Sequence, residues 1–321
     1  MPASIKARFG GLFFCYSFDS CLRWYDETKR HKLASNYVMP VMTTLVVRRL
    51  LIDLESPVAR HWFAGDPFRT AFFNALSMSF PVGEQFFIDS VRQGLAALPP
   101  EMQAHWHEEV QGFIGQEATH RRIHALFNAQ IEKHGLVNAW EPRARERLKR
   151  LDGLDPRHAQ GVTAANEHFT AILAEWLLGH PDLLQGVEPR LQTLWLWHSA
   201  EEAEHKATAF DLYRALGGNE AWRRTWFRRV TLIFVADTLC QTLHNLKRDQ
   251  TLWHWHTVTS ALRFFFGRHG LVRQTFKPWR AYLRPGFHPS QLGSPLSEHW
   301  LQANAAEFTL VGSPVKPELC P

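Results

Sequence analysis

Two Glu-x-x-His triplets, Glu117 with His120 and Glu202 with His205, fall in the middle of long runs of helical periodicity, and the triplet occurs nowhere else in the 321 residues. On a helix, positions i and i+3 lie about 60° apart with roughly 4.5 Å of rise between them, so a carboxylate and an imidazole so placed can hold one cation from the same face. Val110, Phe113, Glu117, His120, His124, Phe127 and Ile131 are separated by alternating threes and fours. So are Leu191, Trp195, His198, Glu202, His205, Ala209 and Leu212. That is the spacing of a helix-packing seam. Each seam is apolar at its ends and polar in its middle. A buried carboxylate without a partner is costly, so two charged clusters in mid-seam make physical sense when cations neutralise them.

Helix punctuation sets the frame around these seams. Asp66-Pro67 reads as an N-cap followed by proline at the first helical position, and Pro99-Pro100 stops the pattern that follows. Pro81 lies inside this stretch and is expected to kink it. A second helix is expected from near Glu101 to His134, closed by Gly135. Residues 136–154 form a charged connection, with a short exposed helix at 143–150. Asp155-Pro156 repeats the N-cap signature for a third helix that ends at Gly179. A fourth runs from about Glu188 to Leu216 and stops at Gly217-Gly218. Two more helical stretches follow, roughly 220–247 and 251–269. The chain from Pro285 onward is rich in proline, glycine and serine and reads as irregular. No alternating strand pattern stands out, so the expected class is all-α.

The first and third helices each offer one carboxylate at matching depth: Glu84 between Phe80 and Phe87, and Glu167 among Ala164, Ala165 and Ala171. Glu84 and Glu117 lie at nearly equal distances from the Pro99-Pro100 turn and so meet at one level. One Glu from each of two helices, plus Glu-x-x-His from each of the other two, is the pattern of ferritin-like di-iron or di-manganese carboxylate bundles. The expectation is therefore a ferritin-like four-helix bundle with additional C-terminal helices. It would hold two metal ions on Glu84, Glu117, His120, Glu167, Glu202 and His205. His198, four residues before Glu202 on the same face, is a further expected ligand. His124, four residues after His120, stands between ligand and hydrogen-bonded core histidine. Glu175, Glu201 and Glu204 read as structural or solvent-facing. Asp211 is placed to support a ligand histidine, and His288 to approach the centre from a loop.

The domain reading follows: an N-terminal extension at 1–38, with Met39 or Met42 as alternative starts, then a metal-binding domain at 39–290 and an irregular tail at 291–321. Within the domain, the core is 66–216 and a helical cover is 219–283. The run Gly11–Phe14 is too short for a good signal peptide. Cys15, Cys21, Cys240 and Cys320 form no CxxC pair and no disulfide framework, which fits a reducing, cytoplasmic setting. A net charge of +5 with no Arg-rich tract excludes a nucleic-acid binder. It permits contact with anionic surfaces. Trp222, Trp226, Trp253, Trp255, Phe264, Phe265, Phe266 and Trp279 are interleaved with arginines and lysines. That mixture suits a peripheral membrane surface or an acyl chain, against the simpler reading that the aromatics cover the bundle and the basic residues face water.

Asn74-Ala75-Leu76-Ser77 through Phe80-Pro81-Val82-Gly83-Glu84 resembles the opening motif of the bacterial proteins labelled predicted metal-dependent hydrolases. The same holds for Gln116-Glu117-Ala118-Thr119-His120, for His198 through Lys206, and for Arg284-Pro285-Gly286-Phe287-His288-Pro289. The resemblance covers about residues 40–290. His198-x-x-x-Glu202-x-x-His205 is also similar to the motif of di-iron arylamine N-oxygenases, which add a third histidine to the ferritin-like set. The sequence thus leads to a dinuclear metalloenzyme. Its first expectation is a di-iron oxygenase or oxidase that acts on an apolar or amine small molecule and is served by an electron donor. The alternative is a metal-dependent hydrolase with a metal-activated water. Glu/His ligands suit iron, with manganese or zinc as alternatives. A homo-oligomer is compatible with either reading. Metal storage is disfavoured by the hundred or so residues that follow the fourth helix.

Overall fold

The structure, a computed structural model, describes residues 44–293 and 295–311. The expected N-terminal extension, with Cys15 and Cys21, and Cys320 at the other end lie outside the described residues. The fold is all-α. In chain order the helices are α1 (Pro67–Ala96), α2 (Pro100–Glu132), α3 (Trp140–Leu148), α4 (Pro156–Leu178), α5 (Pro189–His205), α6 (Thr208–Ala215), α7 (Glu220–Arg248), α8 (Trp255–Phe266), α9 (Leu271–Tyr282) and α10 (Pro295–Ala303). Two three-residue strands, β1 (Arg48–Leu50) and β2 (Phe308–Leu310), pair antiparallel with Arg48 opposite Leu310.

Local chemistry explains the helix ends. Asp66 accepts a hydrogen bond from the Arg69 N–H, and Asp155 accepts one from the Arg157 N–H, each just ahead of a proline at the first helical position. Gly135 adopts φ 83°, the left-handed conformation that lets the chain turn away after α2. Pro81 lies inside α1, which continues through it. A proline has no N–H for the carbonyl four residues earlier. That carbonyl belongs to Ser77 and accepts a hydrogen bond from Asn128 Nδ2 at 3.0 Å. The helix defect thereby ties α1 to α2.

Helices α1 and α2 pack together, as do α4 and α5; α1 also lies against α4, and α2 against α5. These four helices form a closed ring of neighbours. Helix α7 covers α1 and α4, and α8 and α9 pack against α1 and α4 respectively. An aromatic cluster fills one part of the interior, with Trp62 stacked on Trp195 at 6.4 Å and Phe73 edge-on to Trp195 at 4.8 Å.

The structure departs from the sequence reading in five places. The expected fourth helix is broken at Lys206 and Ala207 into α5 and α6, immediately after the second Glu-x-x-His triplet. Side-chain anchors hold the break: Lys206 Nζ donates to the Leu292 carbonyl, and Thr208 Oγ1 donates to Glu109 Oε1 at 2.8 Å. The connection helix starts at Trp140, capped by Asn138 Oδ1, rather than at 143. The stretch expected at 251–269 is helical only at 255–266. A further helix, α9, occupies 271–282. The tail expected to be irregular at 291–321 holds α10 and β2 within its described part. Strand β2 is too short to show an alternating pattern and exists because β1 supplies its hydrogen bonds.

Candidate metal centre

Eight side chains meet between α1, α2, α4 and α5. Glu84 comes from α1, Glu117, His120 and His124 from α2, Glu167 from α4, and His198, Glu202 and His205 from α5. None is more than 4% exposed. Two groups have potential ligand atoms within 4.8 Å of one another: Glu117 with His120, Glu202 and His205, and Glu84 with His124 and His198. All six residues expected from the core pattern are thus at the centre, together with His198 and His124. Glu167 stands outside both groups and accepts a hydrogen bond from His205 Nδ1 at 2.9 Å.

The hydrogen bonds determine which nitrogen of each ring faces inward. His205 Nε2 lies 3.7 Å from Glu117 Oε1 and 3.8 Å from Glu202 Oε1. His120 donates from Nε2 to Glu201 Oε2 at 2.9 Å, and its Nδ1 faces Glu202 Oε1 at 3.3 Å. His198 donates from Nε2 to Glu202 Oε1 at 2.9 Å. His124 Nε2 and His198 Nδ1 are 2.6 Å apart and share one proton. Phe80 packs on His124 and His198 at 4.5 and 4.7 Å, Phe113 on His205 at 4.9 Å and Trp197 on His120 at 5.1 Å. Those rings leave the imidazoles few alternative orientations.

The donor set fits bound cations on a specific observation. Both carboxylate oxygens of Glu84 and of Glu117, one oxygen each of Glu167 and Glu202, His120 Nδ1 and His205 Nε2 are buried without a hydrogen-bond partner. Folded proteins rarely leave one such atom unsatisfied. Eight at one place, all on carboxylates and imidazoles, are the coordination capacity of a dinuclear site. The charges are correspondingly perturbed. Burial, reinforced for both by other carboxylates of the centre, pushes Glu84 and Glu117 well above the ordinary carboxylate range, although His120 opposes the rise at Glu84. Burial raises Glu167 to about 7 despite His205. Glu202 is the exception: burial opposes its charge, yet His205, His120 and His198 hold it well below the usual value. His120 is raised to about 10, because Glu201 and Glu202 outweigh its burial. Burial and the His120 charge lower His198 to about 4.

Three outer residues differ from their sequence reading. Glu201, expected at the surface, is fully buried and bridges His120 to Arg48, whose Nη1 donates to Glu201 Oε1 at 3.0 Å. Glu204, expected at the surface as well, is half-buried and receives both Arg48 Nη2 and Gln116 Nε2 at 3.0 Å. His288 lies in neither donor group: its Nε2 donates to Asp211 Oδ1 at 2.8 Å, so Asp211 supports His288. Arg48 went unrecognised because it stands far from the motifs in the chain. The available signal was three acids, Glu201, Glu202 and Glu204, within four residues, a charge density that needs an opposing cation.

A narrow cavity of about 40 Å³ reaches the centre; its wall includes His198 and Glu202 together with Phe72, Phe73, Leu173 and Trp195, and no lysine or arginine. No curated protein and no solved structure matches the chain. A family model described as predicted metal-dependent hydrolase matches residues 46–293, a stretch that holds every side chain of the centre, and the chain belongs to that family.

Proposed function

We propose that this metal-dependent enzyme is a dinuclear hydrolase with a ferritin-like core, acting on a neutral, largely apolar ester or amide. The observation that carries the proposal is the coincidence of eight buried, unpartnered donor atoms with two Glu-x-x-His triplets in a chain of the predicted metal-dependent hydrolase family. The ring formed by α1, α2, α4 and α5, with one Glu on each of α1 and α4 and a triplet on each of α2 and α5, supports the ferritin-like reading. Bound metal ions would supply Lewis acidity and lower the pKa of a water. Glu117, His120, Glu202 and His205 would hold one ion, and Glu84, His198 and His124 the other, with Glu167 able to join through its free oxygen.

The protein's own groups do the rest. Glu201 and Glu167 fix the His120 and His205 rings through hydrogen bonds at 2.9 Å, which sets the nitrogen presented to the centre. Phe80, Trp195 and Trp197 exclude bulk water. A cavity wall without a cation disfavours phosphate esters and suits an uncharged scissile group.

A second reading, ranked first from sequence alone, is a di-iron oxygenase. It draws on four imidazoles at one centre, His120, His124, His198 and His205, and on the same apolar wall. One experiment separates the two. The zinc-loaded protein is assayed anaerobically against medium-chain nitrophenyl esters, and the ferrous protein is followed for dioxygen uptake. Ester turnover by the zinc form supports the hydrolase. Dioxygen consumption by the ferrous form, with an inert zinc form, replaces it by the oxygenase.

A further inference from the structure

A larger cavity of about 470 Å³ lies between α4, α7, α8 and α9, within the roughly 300–1,000 Å³ range of small-molecule sites. It shares two wall residues with the narrow cavity at the metal centre, Phe72 on α1 and Leu173 on α4. Its wall is apolar even where the sequence is not. Thr231, Thr238 and Thr275 each donate their hydroxyl to the carbonyl four residues earlier, at 2.7 Å. Trp279 Nε1 donates to Thr231 Oγ1 at 3.1 Å. Every polar side-chain group of this wall is therefore already partnered, and a ligand here can be recognised only by its hydrocarbon surface. At the outer side, Val235, Leu239, Phe266, Val272 and Phe276 belong to the wall and are also exposed, so the cavity opens to the surface.

We infer that the two cavities form one substrate site for a compound with a long unbranched hydrocarbon chain. The polar reactive end lies at His198 and Glu202, and the chain passes between Phe72 and Leu173 into the larger cavity. The inference rests on the metal-centre reading and adds the substrate class to it. Among the wall residues, the buried polar atoms without a partner, Glu202 Oε2 and Trp195 Nε1, belong to the inner cavity, which fixes the orientation: a polar head in the outer cavity would lose its water for no partner. Of the hydrolase substrates, this selects fatty acyl esters or amides.

The test uses the full chain. A fluorescent long-chain polyene alcohol is titrated into metal-free protein and displaced by straight-chain alcohols from octanol to hexadecanol, whose uncharged head suits a centre lined by carboxylates. Each added methylene should tighten binding by about fourfold until the cavity is filled. Val272→Trp, at a position 46% exposed and therefore tolerant of a larger side chain, projects into the outer cavity. It should weaken the probe by about tenfold or more at unchanged melting temperature and metal content. In cobalt(II)-loaded protein, a long-chain acid should shift the visible absorption of the metal, and both Leu173→Trp and Val272→Trp should move the midpoint of that shift to about tenfold or more higher acid concentration. Binding indifferent to chain length, binding unaffected by Val272→Trp, or an unchanged cobalt spectrum at saturation each overturns the inference. Failure of the metal reading has its own signature: no cobalt uptake, whatever the probe does.

Discussion

Glu117 carries a cost that cations would remove: both its oxygens are buried without a hydrogen-bond partner, and burial keeps its carboxyl well above the usual pKa. Glu117→Met should lower metal content from two ions to at most one per chain. The same change should stabilise the metal-free protein by about 1–3 kcal/mol, because it deletes unsatisfied buried oxygens. Elemental analysis and urea unfolding check the two halves; a destabilised metal-free variant would contradict the assignment. The pH dependence follows from Glu167. Its carboxyl is raised to about 7 in the fold, so the neutral form dominates below that value and the anion needed beside a cation dominates above it. Metal affinity should therefore fall as pH drops through about 7, with proton release on binding measurable by calorimetry in two buffers. The sign for stability is opposite to that of an ordinary paired carboxylate: metal-free protein should lose stability as pH rises from the unfolded value towards 7. Asn128 tests the defect left by Pro81. Asn128→Ala should cost about 1–3 kcal/mol by stranding the Ser77 carbonyl, and the cost should shrink in a Pro81→Ala background, where the helix satisfies that carbonyl itself.

At the level of elements, the pairing of β1 with β2 governs His120 from a distance. Pairing places Arg48 against Phe308 at 5.5 Å and aims its guanidinium at Glu201 and Glu204. The approach to β1 runs tight along α2, where a Cβ at Gly115 would come within 2.3 Å of Val47 Cγ2 and one at Gly112 within 2.7 Å of Leu45 Cβ. Glycine at these two positions is what allows the strand to pass. Glu201→Ala should reduce metal affinity by about 10–100-fold while leaving two ions bound at saturating metal, since it frees the His120 ring without removing a donor. Competition against a chelator of known affinity measures this. An unchanged affinity would mean that Glu201 serves only the Arg48 pair.

For the whole molecule, the centre joins four helices from across the chain, and its occupancy should control global stability. Metal at about a hundred times its dissociation constant should add roughly 2.7 kcal/mol per site, read as a higher melting temperature that a chelator reverses. The outer helices behave differently. Leu232, Trp253 and Trp255 remain exposed on α7 and around the start of α8, and no helix among the described residues is long and apolar enough to cross a membrane.

The residues that gather at the candidate centre and most helix ends are legible in the sequence because both depend on neighbours a few positions away. Triplet spacing puts Glu117 and His120 on one face, and the Asp66-Pro67 and Asp155-Pro156 pairs start their helices through side-chain bonds to the next turn. What partners each donor has could not be read that way. Glu201 and Glu202 are adjacent in sequence, yet one is pinned by Arg48 and the other sits among His120, His198 and His205. Glu167 reads in sequence like Glu84, but in the fold it accepts from His205, whereas Glu84 joins His124 and His198. The break after His205, the burial of Glu201 and the strand that carries Arg48 all depend on segments brought together from opposite ends of the described chain. Local periodicity decides which face of a helix is polar; only packing decides which charge meets it.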